Sequence, residues 1–152
     1  MQPQNANAAR KARMSVLSRC DTARLRQLWD GLGLNPPHKT LRGPESGMVM
    51  LRGRVGGQSE VFNLGEATVT RASVRLEDGS VGHAMALGRD AKKALLSALI
   101  DAVCHDARMA GHVDAAVIEP MRRELDEADE TRRRQTAATR VDFFTLVRGE
   151  DA

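Results

Sequence analysis

ATVTRASVRLEDGSVGHAMALGRD, residues 67–90, reads as a β-hairpin that runs directly into a helix. Asp78-Gly79 suits a two-residue turn with φ > 0 at both central positions, and alternating runs flank it. That turn sets Leu76 opposite Val81, Val74 opposite His83, Ala72 opposite Met85 and Thr70 opposite Leu87. Side chains alternate along a strand, so these pairs share one apolar face. The other face sets Arg75 over Gly82, Ser73 over Ala84 and Arg71 over Ala86. Two arginines then stand above a floor of small residues with no carboxylate directly across. Such a surface fits a partner chain or an anion.

Working outward, Met48–Val55 and Glu60–Leu64 read as two further strands around the Gly56-Gly57 turn, and residues 38–47 as a polar connection. RVGGQ lacks the glycine spacing and the Lys-Ser/Thr of a phosphate-binding loop. On the other side of the hairpin, LGRDAKKALLSALIDAVCHDARMAG has Asp90 as a natural N-cap and almost no polar side in its middle, the mark of a buried helix. His83 falls on the apolar hairpin face as a structural histidine. Gly88-Arg89 with Lys92 and Lys93 at the helix start carries the elements of an anion site, against which the Asp90 carboxylate competes.

Residues 1–8 are polar and uncapped and read as disordered. A helix follows from Ala8, with Ala9, Ala12, Val16, Leu17 and Cys20 on a rough stripe. Asp21 or Thr22 caps the next helix, where Leu25, Leu28, Trp29 and Leu32 form one apolar face ended by Gly31 or Gly33 and Pro36-Pro37. Trp29 is expected in the core. Residues 111–139 read as an exposed helix or arm: Pro120 suits a first helical turn, and Glu119/Arg123, Asp129/Arg133 and Glu130/Arg134 are spaced i, i+4 with the acid first. RVDFFTLVRG, Arg140 to Gly149, reads as a strand apolar on both faces, and therefore covered on both.

The 152 residues fit one domain with a substantial core. The expected fold class is α+β: two N-terminal helices, a four-strand antiparallel meander, two helices and a closing C-terminal strand. The net charge of +3 is uneven. Residues 1–42 hold eight Lys/Arg and two Asp/Glu, residues 43–90 five and six, and residues 91–152 ten and twelve. One function class compatible with the basic N-terminus is a small nucleic-acid-binding or regulatory module. The aromatic content of 3% argues against base-stacking platforms. Cys20 and Cys104 form no CxxC pattern and read as reduced thiols of a cytoplasmic protein. There is no signal-peptide or membrane-spanning pattern. His38, His83, His105 and His112 are scattered, without HExxH or a His/Cys cluster, and no GxSxG occurs. No catalytic residue and no metal site are assigned.

MSVL (Met14–Leu17), TRASVRLEDGSVGHAMALGRD (Thr70–Asp90), ALIDA (Ala98–Ala102) and RVDFFTLVRG (Arg140–Gly149) resemble the PhnG-type subunit of the bacterial carbon–phosphorus lyase core complex. The resemblance runs from about Arg13 to the end, and is most specific in the hairpin and in RVDFFTLVRG. It implies an obligate subunit of phosphonate catabolism that assembles with H-, I- and J-type subunits and an L-type ATPase-like protein. The implied step, that of alpha-D-ribose 1-methylphosphonate 5-triphosphate synthase, is a transfer: an alkylphosphonate displaces adenine from ATP. ATP and the alkylphosphonate are then substrates of the complex. This chain itself is then expected to bind no cofactor, to perform no catalysis, and to contact neither membrane nor nucleic acid. Arg71, Arg75, Arg89, Phe143 and Phe144 are the candidate interface or anion contacts.

Overall fold

In a computed structural model, residues 3–54 and 60–139 are described, with side chains from residue 7 onward. The order is α1 (Pro3–Arg19), α2 (Thr22–Gly31), β1 (His38–Gly53), β2 (Phe62–Leu76), β3 (Val81–Leu87), α3 (Ala91–Val103), α4 (Ala107–Val113), a π turn (Asp114–Ile118) and α5 (Glu119–Ala138). The strands form one antiparallel sheet, β1-β2-β3.

The four-strand meander is therefore corrected to three long strands. Residues 38–47, expected as a connection, are the first half of β1. The runs expected as separate strands at 60–64 and 70–76 are one strand, β2. The Leu64-Gly65 step that reads as a break is a bulge: Leu51 pairs with Gly65 but Arg52 pairs with Asn63, leaving Leu64 as the extra residue. Gly65 takes φ +149°, which glycine tolerates and other residues rarely adopt. The expected closing strand at 141–147, with Phe143 and Phe144, lies outside the described residues.

The hairpin register is corrected as well. Only Gly79 in this turn has positive φ, +90°, whereas a two-residue turn of the expected kind needs it at Asp78 too. The chain instead makes a three-residue loop over Glu77–Gly79. Gly79 N–H donates to Leu76 O (3.1 Å), Leu76 N–H to Ser80 O (2.9 Å), and Ser80 N–H to Asp78 Oδ1 (2.8 Å). One extra loop residue turns β3 over. Thr70, Ala72 and Val74 now share a face with Ala86, Ala84 and Gly82, and that face is buried. Val81, His83, Met85 and Leu87 stand on the opposite face beside Arg75, Ser73, Arg71 and Val69.

Helix α3 lies on the small-residue face. Asp90 caps it, Oδ1 accepting Lys93 N–H at 2.8 Å and Oδ2 accepting the Thr22 hydroxyl. The approach is close: a Cβ on Gly82 would lie 2.8 Å from Ala102 Cβ and nearer still to Ala98 O and Ala102 N. Val16 and Leu17 of α1, Leu25 and Trp29 of α2, and Val113, Val117 and Ile118 complete the same core, α1 touching both α3 and β3. Trp29 is the expected core anchor, 3% exposed. Beyond α3, Asp106 breaks the helix and caps α4, accepting Arg108 N–H at 2.7 Å. Pro120 falls in the first turn of α5, as expected, but no break separates that helix from α4. Helical backbone continues through residues 113–119, and Glu119 N–H reaches back to Asp114 O across the π turn just before the proline, which has no N–H of its own to donate.

Candidate functional site

The helices cover one face of the sheet and leave the other open. Every exposed large apolar side chain among the described residues belongs to a strand or to the residue just before β2: Leu41, Met48, Met50, Leu51, Val61, Phe62, Leu64, Met85 and Leu87. β3 pairs only with residues 69–75, so residues 48–53 and 62–68 project as a two-stranded ribbon. The register places Val49 and Leu51 on the open face, in line with Leu87 and with Val69, which is itself buried. Leu64 sits against Gly53 on that face, its Cγ 3.2 Å from where a Cβ on Gly53 would be. Met48 and Met50 occupy the ribbon's opposite side. Exposed apolar side chains gathered in this way mark a surface that a partner would cover. The sequence reading misses it because it assigns Met85 and Leu87 to the core.

The other end of the open face is cationic. Its register rows run Lys39–Arg75–Val81, then Arg42–Ser73–His83, then Glu45–Arg71–Met85. Glu45 accepts from Arg42 Nε at 2.9 Å, and Arg42 first and Arg71 next to it hold its carboxyl below the usual range. The floor of small residues expected beneath the arginines is instead the floor beneath α3, and Arg71 has an acid across from it after all. Arg75 faces Lys39, a like charge. His83 is exposed, and its Nδ1 shares a hydrogen bond with Ser73 Oγ at 2.8 Å. That corrects its assignment to the apolar face.

Arg89 is exposed at the β3–α3 junction, while the first α3 amides are engaged by Asp90 and Lys93 Nζ turns inward to Cys20 O at 3.3 Å. The basic N-terminus is largely neutralised inside the molecule. Arg10 forks onto the buried Asp101 (2.9 and 2.7 Å) and Arg13 onto Asp114 (2.7 and 3.0 Å). Arg19 pairs with Asp129 and Arg24 with Glu124. These pairs raise the Arg10 and Arg13 guanidinium pKa values further. Asp101 also accepts His83 N–H at 2.9 Å, satisfying a donor on the sheet edge. The acids of α5 answer Arg19, Arg24 and their own helix neighbours, and none is within ion-pair distance of Arg71 or Arg75.

Burial pushes the Cys20 thiol up to about 11 and the Cys104 thiol up to about 12, so both stay protonated and unreactive at neutral pH. Among the described residues no group of three His, Cys, Asp or Glu side chains is placed to hold a metal ion, and no helix is long and apolar enough to cross a membrane.

A helix-backed sheet with one open face, apolar at one end and cationic at the other, defines an assembly subunit. The family profile described as "phosphonate metabolism protein PhnG" matches residues 8–149, and the chain belongs to that family. It is 46% identical over 144 residues to the alpha-D-ribose 1-methylphosphonate 5-triphosphate synthase subunit PhnG of Rhizobium meliloti (strain 1021), covering 95% of this chain and 92% of the relative.

Proposed function

We propose that this chain is a subunit of an alpha-D-ribose 1-methylphosphonate 5-triphosphate synthase within the carbon–phosphorus lyase system, acting in the cytoplasm on phosphonates. Its reaction is the transfer of ribose 5-triphosphate from ATP to an alkylphosphonate with release of adenine. The H-, I- and J-type subunits and the L-type ATPase-like protein are its partners, and the chemistry resides on them. Family membership and the relative's name support the reaction. The open apolar sheet face carries the subunit role: Phe62 and Leu64 are 41% and 61% exposed on a ribbon with no helix behind it. A buried Cys20 and a half-buried Cys104, both protonated, are in keeping with a non-catalytic chain.

The test is Phe62→Ser with Leu64→Ser, co-expressed with the genomic neighbours. Exposed positions tolerate serine, so the circular dichroism spectrum and the melt should stay close to wild type. Affinity for the partners should fall by about 2–4 kcal/mol, roughly 30- to 1000-fold, as for truncation of central interface anchors. Unchanged co-purification would remove the ribbon from the interface.

A further inference from the structure

We infer that the cationic end of the open sheet face, around Lys39, Arg75, Arg42, Ser73 and His83, binds a polyphosphate group, the triphosphate end of a substrate or product; naming that ligand rests on the function proposed above. Lys39 and Arg75 are directly opposed on adjacent strands, an arrangement that destabilises an isolated sheet unless an anion joins them. Among the described residues neither has a carboxylate within 4.0 Å. Both line a cleft of about 490 Å³ at the hairpin end, with His38 and, as its one acid, Glu77. That volume suits a small ligand.

The next row is two residues along β2 and β3, about 7 Å away, and three along β1 across an irregularity at Leu41. There Arg42, already paired with Glu45 at 2.8 Å, stands beside the Ser73–His83 pair, itself hydrogen-bonded at 2.8 Å. With the serine hydroxyl donating to Nδ1, the imidazole proton sits on Nε2, where it can donate to an oxyanion. Ammonium, guanidinium and imidazole donors spread over two rows match a chain of phosphates better than a single carboxylate. The site is also remote from the apolar anchors. Arg75 and Phe62 are thirteen residues apart on β2, up to about 43 Å of extended strand. Protein contact at one end therefore leaves the other end free for a ligand.

The experiment titrates inorganic tripolyphosphate into the full-length chain at several salt concentrations, comparing wild type, Lys39→Ala with Arg75→Ala, and Arg123→Ala as a distant exposed control. In parallel, each is co-expressed with the genomic neighbours and tested for assembly. We expect the double variant to bind tripolyphosphate at least tenfold more weakly, with a shallower salt dependence, and to assemble normally. The control should match wild type in both respects. A wild-type chain that does not bind tripolyphosphate, or a double variant that binds it as wild type does, overturns the inference. So does a double variant that drops out of the complex, since the two cations would then meet carboxylates of a partner. If the wild-type chain fails to assemble, the proposed function falls, while the titration still decides the site.

Discussion

Gly82→Ala should be among the most damaging single-methyl changes in this protein. Gly82 lies on β3 directly beneath α3, and an added Cβ would be 2.8 Å from Ala102 Cβ and closer still to Ala98 O and Ala102 N. Two of those three atoms are helix backbone, which cannot swing aside as a side chain does. Restoring ordinary contact distances of about 3.5–4.0 Å requires α3 to retreat by about 1 Å or more. Retreat then opens gaps under Ala94 and Ala98, which are fully buried against the sheet. Overpacking costs typically about 1–3 kcal/mol, and a backbone obstruction places this change near 3. For a chain of this length that corresponds to a drop in Tm of about 6–12 °C. Thermal and urea melts of the full-length variant read it directly. Gly43→Ala is the control, with ordinary backbone and nothing within 4 Å of the new methyl, and should stay within about 0.5 kcal/mol. A Gly82→Ala protein melting within about 2 °C of wild type would refute the close helix–sheet packing on which the whole register assignment depends.

Arg10→Ala should cost about 2 kcal/mol by stranding the buried Asp101 carboxylate, and adding Asp101→Ala should cost less than the sum, read by a double-mutant cycle in urea. The Asp90 carboxyl lies below its ordinary 3.8, held down first by the Thr22 hydroxyl, then by the Lys93 N–H and the Lys93 charge. Its stabilising share is thus present above that pH and lost as pH falls through the lower folded value, so Asp90→Asn should flatten the decline of the urea midpoint between pH 5 and 2. Phe143→Ala with Phe144→Ala should weaken assembly without changing tripolyphosphate binding, measured by co-purification and titration.

The local signals of the sequence were strong wherever one residue type does one job. Asp21 and Asp90 cap α2 and α3 through the N–H groups of Arg24 and Lys93, as their positions before apolar-periodic runs require. Leu25 and Trp29 are buried, as the i, i+4 spacing demands. The open face was not legible because it turned on a single dihedral. Asp78 could adopt positive φ and make a two-residue turn, or leave that to Gly79 and make a three-residue loop. Both strands alternate with period two, so either register satisfies the pattern equally. Size then misled: Met85 and Leu87 resemble core residues more than Gly82, Ala84 and Ala86 do. The start of β1 was hidden for a related reason. Its first half, HKTLRGPESG, is exposed throughout and has no apolar alternation to display.

That ambiguity also bears on assembly. A one-residue slip of β3 would hide Met85 and Leu87 beneath α3 and turn Gly82, Ala84 and Ala86 outward, at first sight the better arrangement for a solitary molecule. The helix rules it out. Ala94, Ala98 and Ala102 bring the α3 backbone too near the sheet to admit a leucine or methionine at those positions. Small residues on both surfaces act together to fix the register, and the larger apolar side chains are left on the outside as a consequence. Their exposure, at 46% for Met85 and 47% for Leu87, is thus a property of a close-packed layer rather than of a loose one. A rigid layer that forces an apolar face outward is unfavourable in water alone, and becomes favourable once another subunit covers that face.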